Sequence, residues 1–229
     1  MRLTIFDLDH TLLAGDSDYG WGQFMVCHGL VDPDEYAQKN AAFYAAYQAG
    51  KLDHAAYMAF SLEPLTRYAM EELDAWHRKF MAEIIEPLMT APGRLLVQER
   101  LQAGDLVVIV TSTNSFITRP IARAYGVEYL IATDPEVRDG SYTGRIVGIP
   151  AFREGKVTRL HSWLGQCGKR LDDFAQSWFY SDSTNDLPLL ETVTHPVAVD
   201  PDHALRQIAE QRRWPIITLR EHASPPTNS

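Results

Sequence analysis

Two aspartates one residue apart, Asp7 and Asp9, follow the apolar run Leu3-Thr4-Ile5-Phe6, with a hydroxyl at Thr11. Three more polar sets lie downstream: Thr111-Ser112-Thr113-Asn114 after Leu106–Val110, Gly155-Lys156, and Ser181-Asp182-Ser183-Thr184-Asn185-Asp186 after Trp178-Phe179-Tyr180. Each set alone is weak, since acidic residues often end strands and threonine is a common helix N-cap. Their combination in this order points to phosphoryl transfer. If Asp7, Asp9 and Asp182 converge, their mutual repulsion calls for a hard divalent cation. Mg²⁺ suits a site of one or two carboxylates, a carbonyl and several waters. Thr111, followed by a helix with free N–H groups, makes an anion cradle, and Lys156 adds a cation opposite the metal.

Such convergence requires those sets to sit at neighbouring strand ends. Leu3–Phe6 reads as a short buried strand, and Leu106-Val107-Val108-Ile109-Val110 as a central parallel one. Helices are expected around 94–102, 115–125, 157–164 and 203–211, with strands at 129–131, 177–180, 195–199 and 216–218. Asp139-Gly140 marks a hairpin. Between Asp18 and about Ala91 the pattern is helical throughout. Tyr36, Phe43, Tyr44 and Tyr47 form one stripe, closed at Gly50, and Leu73, Trp76, Phe80 and Ile84 form another. Both stripes are expected to be core. The fold class is α/β: a doubly wound parallel sheet with an inserted all-helical cap, ligands binding at the carboxyl ends of the strands. The expected division is a core of 1–15 and 92–222, a cap of 16–91 and a flexible tail of 223–229.

The bulk composition narrows the class further. The 229 residues are 45% hydrophobic and 22% charged, as in an ordinary globule rather than a disordered chain. A formal charge of −9 argues against a nucleic-acid partner. No apolar run is long enough to span a membrane, and Asp7 and Asp9 interrupt the N-terminal stretch before it could act as a signal peptide. A cytoplasmic location follows as an expectation, with Cys27 and Cys167 as reduced thiols.

The four sets, in this order and with a helical block after the first, resemble the haloacid dehalogenase superfamily, in particular its phosphoserine-phosphatase-like branch. The resemblance spans Asp7 to Asp186. It implies that Asp7 is the nucleophile forming a phosphoaspartate, its other oxygen on Mg²⁺. Asp9 would protonate the leaving oxygen and then activate water, its main-chain carbonyl also binding the metal. Thr111 would bind a phosphoryl oxygen, Lys156 would steady the charge of Asp7 and phosphate, and Asp182 would be the third metal ligand. Asn185 and Asp186 would orient Lys156 or metal-bound waters. An aspartate at the second position is the phosphatase form of the motif. His10 stands where many members have glycine and is expected to face the core or the cap hinge.

Specificity is expected from the cap and from the linker Gly15-Asp16-Ser17-Asp18-Tyr19-Gly20-Trp21, whose glycines would permit a hinge. Asp16 or Asp18 could hold an ammonium or imidazolium of the substrate. The simpler alternative is that Asp18 or Ser17 only N-caps a helix. Arg67 could pair with a substrate carboxylate, and Ser112 and Arg153 could reach the site. The expected function is hydrolysis of a small phosphate ester such as phosphoserine or histidinol phosphate. A phosphotransferase or mutase using the same aspartate is the alternative. A non-hydrolytic phospho-receiver domain is a further one, although a receiver is shorter and carries no inserted block.

Overall fold

The computed structural model describes residues 1–220, so the expected tail lies outside the described residues. The chain runs β1 (Arg2–Phe6), α1 (Ser17–Cys27), α2 (Pro33–Gln48), α3 (His54–Leu62), α4 (Met70–Phe80), α5 (Glu86–Leu88), α6 (Ala91–Gln102), β2 (Leu106–Asn114), α7 (Ser115–Ala124) and β3 (Tyr129–Arg138). It continues through β4 (Ser141–Val147), α8 (Glu154–Gln166), β5 (Gln176–Ser181), α9 (Leu187–Leu190), β6 (His195–Val199), α10 (His203–Arg212) and β7 (Ile216–Ile217). The sheet order is β4-β3-β2-β1-β5-β6-β7, with every pair parallel except β3–β4. Among the described residues no helix is long and apolar enough to cross a membrane. Cys27 and Cys167 are free and exposed.

Strand alternation divides the interior into two layers. Phe6, Val107 and Ile109 face a cluster shared with α6, α7 and the helices between β1 and β2. Leu3, Ile5, Val108 and Val110 face the opposite cluster, built on Leu160 and Leu164 of α8, Leu189 and Leu190 of α9, and Leu205 of α10. The sheet is therefore covered on both faces, as a near-continuous apolar β1 and β2 require. β3 runs longer than its apolar start suggests: beyond Thr133 it leaves the parallel sheet and pairs with β4. Asp139 and Gly140 both have positive φ, the geometry of the tight hairpin turn expected there.

The helical block is tied to the rest of the fold at several places. Its two connecting segments pair with each other, Leu13 bridging Met89 and the Ala14 N–H donating to the Leu88 carbonyl at 2.8 Å. Trp21 of α1 packs edge-on to Phe80 and to Phe116 of α7, its ring centroids 5.1 and 5.3 Å away. Gly20, expected at a hinge, lies inside α1, where a Cβ would meet Ile84 at 3.1 Å; its role is close packing. Trp21→Ala is expected to cost about 3–5 kcal/mol. For a chain of this size that lowers Tm by roughly 6–20 °C, measurable by thermal denaturation.

Candidate active site

The central strand β1 delivers its acidic residues to the carboxyl edge of the sheet. Its pairing with β5 continues one step beyond the strand, the Asp7 N–H donating to the Tyr180 carbonyl at 2.9 Å. A wide turn over Leu8–Leu12 follows, in which His10 takes a left-handed conformation with φ of 55°. That is the reason glycine is usual at such a position. Leu8, between the two aspartates, is buried in the core. His10 itself lines an outer cleft beside Asp182 and Arg220 rather than the core.

Lys156, 3% exposed, is the cation of this edge. Its ammonium donates to Asp7 Oδ1 at 2.7 Å and to Asp186 Oδ2 at 2.8 Å. Burial works against the charged amine, but Asp186 and Asp7 outweigh it and raise its pKa. Lys156 begins α8 on a tight approach: a Cβ on Gly155 would stand 2.1 Å from the Pro150 carbonyl oxygen. On the other side of Asp7, the Thr11 hydroxyl lies 3.1 Å from Asp7 Oδ2 and 2.9 Å from Asp182 Oδ1. It also accepts the Asp182 N–H at 3.1 Å. One hydroxyl proton thus serves two carboxylates. Burial and the Asp7 charge push Asp182 well above the usual carboxylate range.

Asp9 is held from two directions. The Thr113 hydroxyl donates to Oδ2 at 2.8 Å, and the Ser17 N–H at the start of α1 donates to Oδ1 at 2.6 Å. Burial and the neighbouring Asp16 push its carboxyl up to about 6. Asp186 is likewise raised to about 6 by burial, against the pull of Lys156. Thr111 is buried and accepts the Thr113 N–H at 3.2 Å; from this strand end it is Ser112 and Thr113 that line the cavity above Asp7. Thr113, which holds Asp9, lies two residues beyond Thr111, and that spacing is the signal in the sequence: alternation places both on one strand face.

The remaining expected residues divide. Asp16 and Asp18 both line the cavity. Asp16, rather than Asp18 or Ser17, caps α1, its carboxylate accepting from the Asp18 and Tyr19 N–H groups at 2.9 and 2.8 Å. Arg67 is not brought to the site: it forms a two-toothed ion pair with Glu63, one helical turn earlier, on the surface. Arg153 stands outside the cavity over the Phe152 ring and donates to Asn185 Oδ1 at 3.0 Å, so Asn185 engages Arg153 and not Lys156. The α2 stripe also departs from expectation. Tyr36 is core, but Phe43, Tyr44 and Tyr47 line the cavity together with Tyr57, His54 and Phe152. A periodic aromatic face looks the same in sequence whether it meets a core or a closed cavity.

The cavity is thus acidic at its floor and rim and aromatic on its walls. Among the described residues, the only lysine or arginine lining it is Lys156, already held by two carboxylates. Also among the described residues, no three His, Cys, Asp or Glu side chains form a metal-ligating group. A cation here would rest on the Asp7 and Asp182 carboxylates, with main-chain oxygen and water completing its shell. Mg²⁺ accepts such a donor set, and the uncompensated charge shared through Thr11 fits one.

The family model for haloacid dehalogenase-like hydrolases matches residues 4–191. A histidinol-phosphatase of Neisseria meningitidis is 46% identical over 96% of this chain and 99% of its own length. The phosphoserine phosphatase SerB1 of Mycobacterium tuberculosis is 33% identical, covering 94% of this chain and 70% of that protein. A crystal structure of a protein of unknown function from Bordetella pertussis superposes with a TM-score of 0.92 at 51% identity, covering 96% and 99% of the two chains. A substrate-bound phosphoserine phosphatase shares the fold, with a TM-score of 0.67 at 17% identity over 95% and 92% of the chains.

Gly155→Ala tests how tightly the lysine is placed. Overpacking against Pro150 is expected to cost about 1–3 kcal/mol. The displaced ammonium should lower turnover beyond what the fraction unfolded accounts for, as seen by comparing Tm with kcat on the same preparation.

Proposed function

The chain belongs to the haloacid dehalogenase-like hydrolases and stands with their phosphatases, and from that premise we propose that it hydrolyses histidinol phosphate through a phosphoaspartate on Asp7. The observation that carries the reading is the placement of Asp7 between the Lys156 ammonium and the Thr11 hydroxyl, at the floor of an acidic, aromatic cavity. A nucleophilic carboxylate needs its approach to a phosphate dianion screened, and Lys156 supplies one such charge.

In this reading residues 16–91 act as the cap that closes over the leaving group. A carboxylate oxygen of Asp7 attacks phosphorus as the ester P–O bond breaks. The departing alkoxide takes the proton of Asp9, whose buried carboxyl, near 6, is protonated often enough to give it up. Asp9, now ionised, draws a proton from water. The resulting hydroxide attacks phosphorus, the P–O bond to Asp7 breaks, and phosphate leaves. Throughout, Lys156 would face the phosphoryl charge, with Ser112, which lines the cavity where Thr111 does not, as the hydroxyl donor from the end of β2. Mg²⁺, held by Asp7, Asp182 and the Asp9 carbonyl, would supply further neutralisation of that charge.

The leaving group is read from the walls. Phosphoserine brings a carboxylate, and the cavity offers it no free cation, since Lys156 is engaged and Arg67 lies outside. An amino-alcohol phosphate brings a cation and no carboxylate, which suits a wall carrying Asp16 and Asp18. The 46% identical relative named histidinol-phosphatase supports the same choice.

A panel of phosphate esters assayed with Mg²⁺ and with chelator tests this. Histidinol phosphate is expected to be the preferred member, with turnover lost on chelation and restored by Mg²⁺. Asp7→Asn should abolish turnover, and Asp9→Asn should lower it by about 10²–10⁴-fold. Chelator-insensitive hydrolysis would remove the metal, wild-type turnover in Asp7→Asn would remove the nucleophile, and preference for phosphoserine would remove the substrate.

A further inference from the structure

Two polar atoms on the cavity wall have no hydrogen-bond partner: Asp18 Oδ2 and His54 Nε2. An unpaired carboxylate oxygen buried in a wall is costly unless something arrives to meet it. Resting on the reading above, we propose that Asp18 and His54 form a two-point reader of the leaving group. Asp18 takes a cationic nitrogen, and His54 Nε2 takes a second polar group farther along the same molecule.

The division of labour among the acidic residues follows from their bonds. Asp9 is held by Thr113 and Ser17, and Asp16 is spent on the first turn of α1. Asp18 is 6% exposed, and its Oδ1 accepts from the Ser61 hydroxyl at 3.0 Å. That bond engages Oδ1 and leaves Oδ2 as the buried oxygen without a hydrogen-bond partner. Burial pushes Asp18 up to about 6, against the hydrogen bonds of Tyr57 and Ser61; a cation docked on Oδ2 would draw it back down.

His54 is oriented by its stack on Phe152, with centroids 4.5 Å apart and planes 13° from parallel. Burial lowers its pKa, against the pull of Asp53, which disfavours a charged imidazolium beside a cationic ligand. Either proton state of Nε2 is open to a neutral imidazole, which lets it donate or accept. His54, Tyr57 and Ser61 stand at i, i+3 and i+7 of α3 and share a helix face. Seven residues of rise separate the anchor points of His54 and Ser61 by about 10 Å along the axis. The two unpaired atoms therefore meet separate groups of one ligand rather than a single nitrogen. A leaving group with an ammonium and a distinct heteroatom-bearing ring or chain satisfies both.

The test compares kcat/KM for histidinol phosphate with that for p-nitrophenyl phosphate, whose leaving group has neither feature. Wild type, Asp18→Asn and His54→Phe are assayed with Mg²⁺. Asp18→Asn should lower the ratio of the two by about tenfold or more, chiefly through KM for the amine ester. His54→Phe should lower it about three- to tenfold. The phenylalanine keeps a ring for the Phe152 stack and removes only the nitrogens, so that arm decides even if Asp18→Asn fails to fold. Equal losses on both esters, or none on either, would overturn the reader while leaving histidinol phosphate as substrate. A wild-type enzyme that turns over p-nitrophenyl phosphate and not histidinol phosphate would overturn the substrate reading and the reader with it.

Discussion

Everything at the carboxyl edge of this sheet depends on one buried ammonium among carboxylates. Lys156 is nearly inaccessible and bonded to both Asp7 and Asp186. Taking those charges out of water costs several kcal/mol per ion, recovered only with tight geometry and a full set of hydrogen bonds. The surroundings supply that set. Ser181 donates to Asp186 at 2.7 Å, and Thr11 reaches the second oxygen of Asp7. The close approach of Gly155 to Pro150 places the start of α8 where the lysine can reach. Asp182 is the member left short, joined to the network only through Thr11 and repelled by Asp7. The same arrangement that stabilises Asp7 from one side leaves Asp182 facing it on the other, with one Thr11 hydroxyl shared between the two carboxylates.

The doubly wound sheet makes this network reachable for a chain whose parts lie far apart. Lys156 and Asp7 are 149 positions apart and meet because β1 lies between β2 and β5, with α8 packed on one face. The turn after β1 then exposes main-chain carbonyls that a regular strand would have paired. Distant residues satisfy them. The Tyr125 hydroxyl donates to the Leu12 carbonyl at 2.7 Å, and the Arg220 guanidinium donates to the His10 and Thr11 carbonyls. The left-handed His10 is thus held by the last described residue, and the loop carrying Asp9 is braced both by Arg220 and by Tyr125 at the end of α7.

What could be read from sequence was whatever is periodic or local. The apolar runs of β1 and β2 announce strands buried on both faces, and the polar residues at their ends follow from the rule that ligands sit there. Asp7, Lys156 and Asp186 come together accordingly. What could not be read depends on which way a helix turns. The aromatic stripe of α2 splits between core and cavity. Arg67 finds Glu63 four residues away before it can reach any ligand, and Asn185 is taken by Arg153. A cap such as Asp16 was also ambiguous, because three acidic or hydroxylated residues in a row can each cap a helix and only backbone geometry chooses among them.

That choice has a chemical consequence, because it separates two fields within one cavity. At the floor, the Lys156 ammonium is the positive charge that a phosphate group would meet. Elsewhere in the lining of the same cavity, Asp9, Asp16 and Asp18 disfavour a further negative charge, each pushed upward by burial. A ligand that is negative at one end and positive at the other gains from both fields, whereas inorganic phosphate gains from only one. In the proposed hydrolysis the asymmetry would also assist release, since after the ester bond breaks each fragment would keep only half of the favourable interactions. Asp9 stands at the boundary between the fields, bonded to Thr113 of the core and to the first turn of α1. In the proposed hydrolysis, that is where its proton would meet the leaving oxygen.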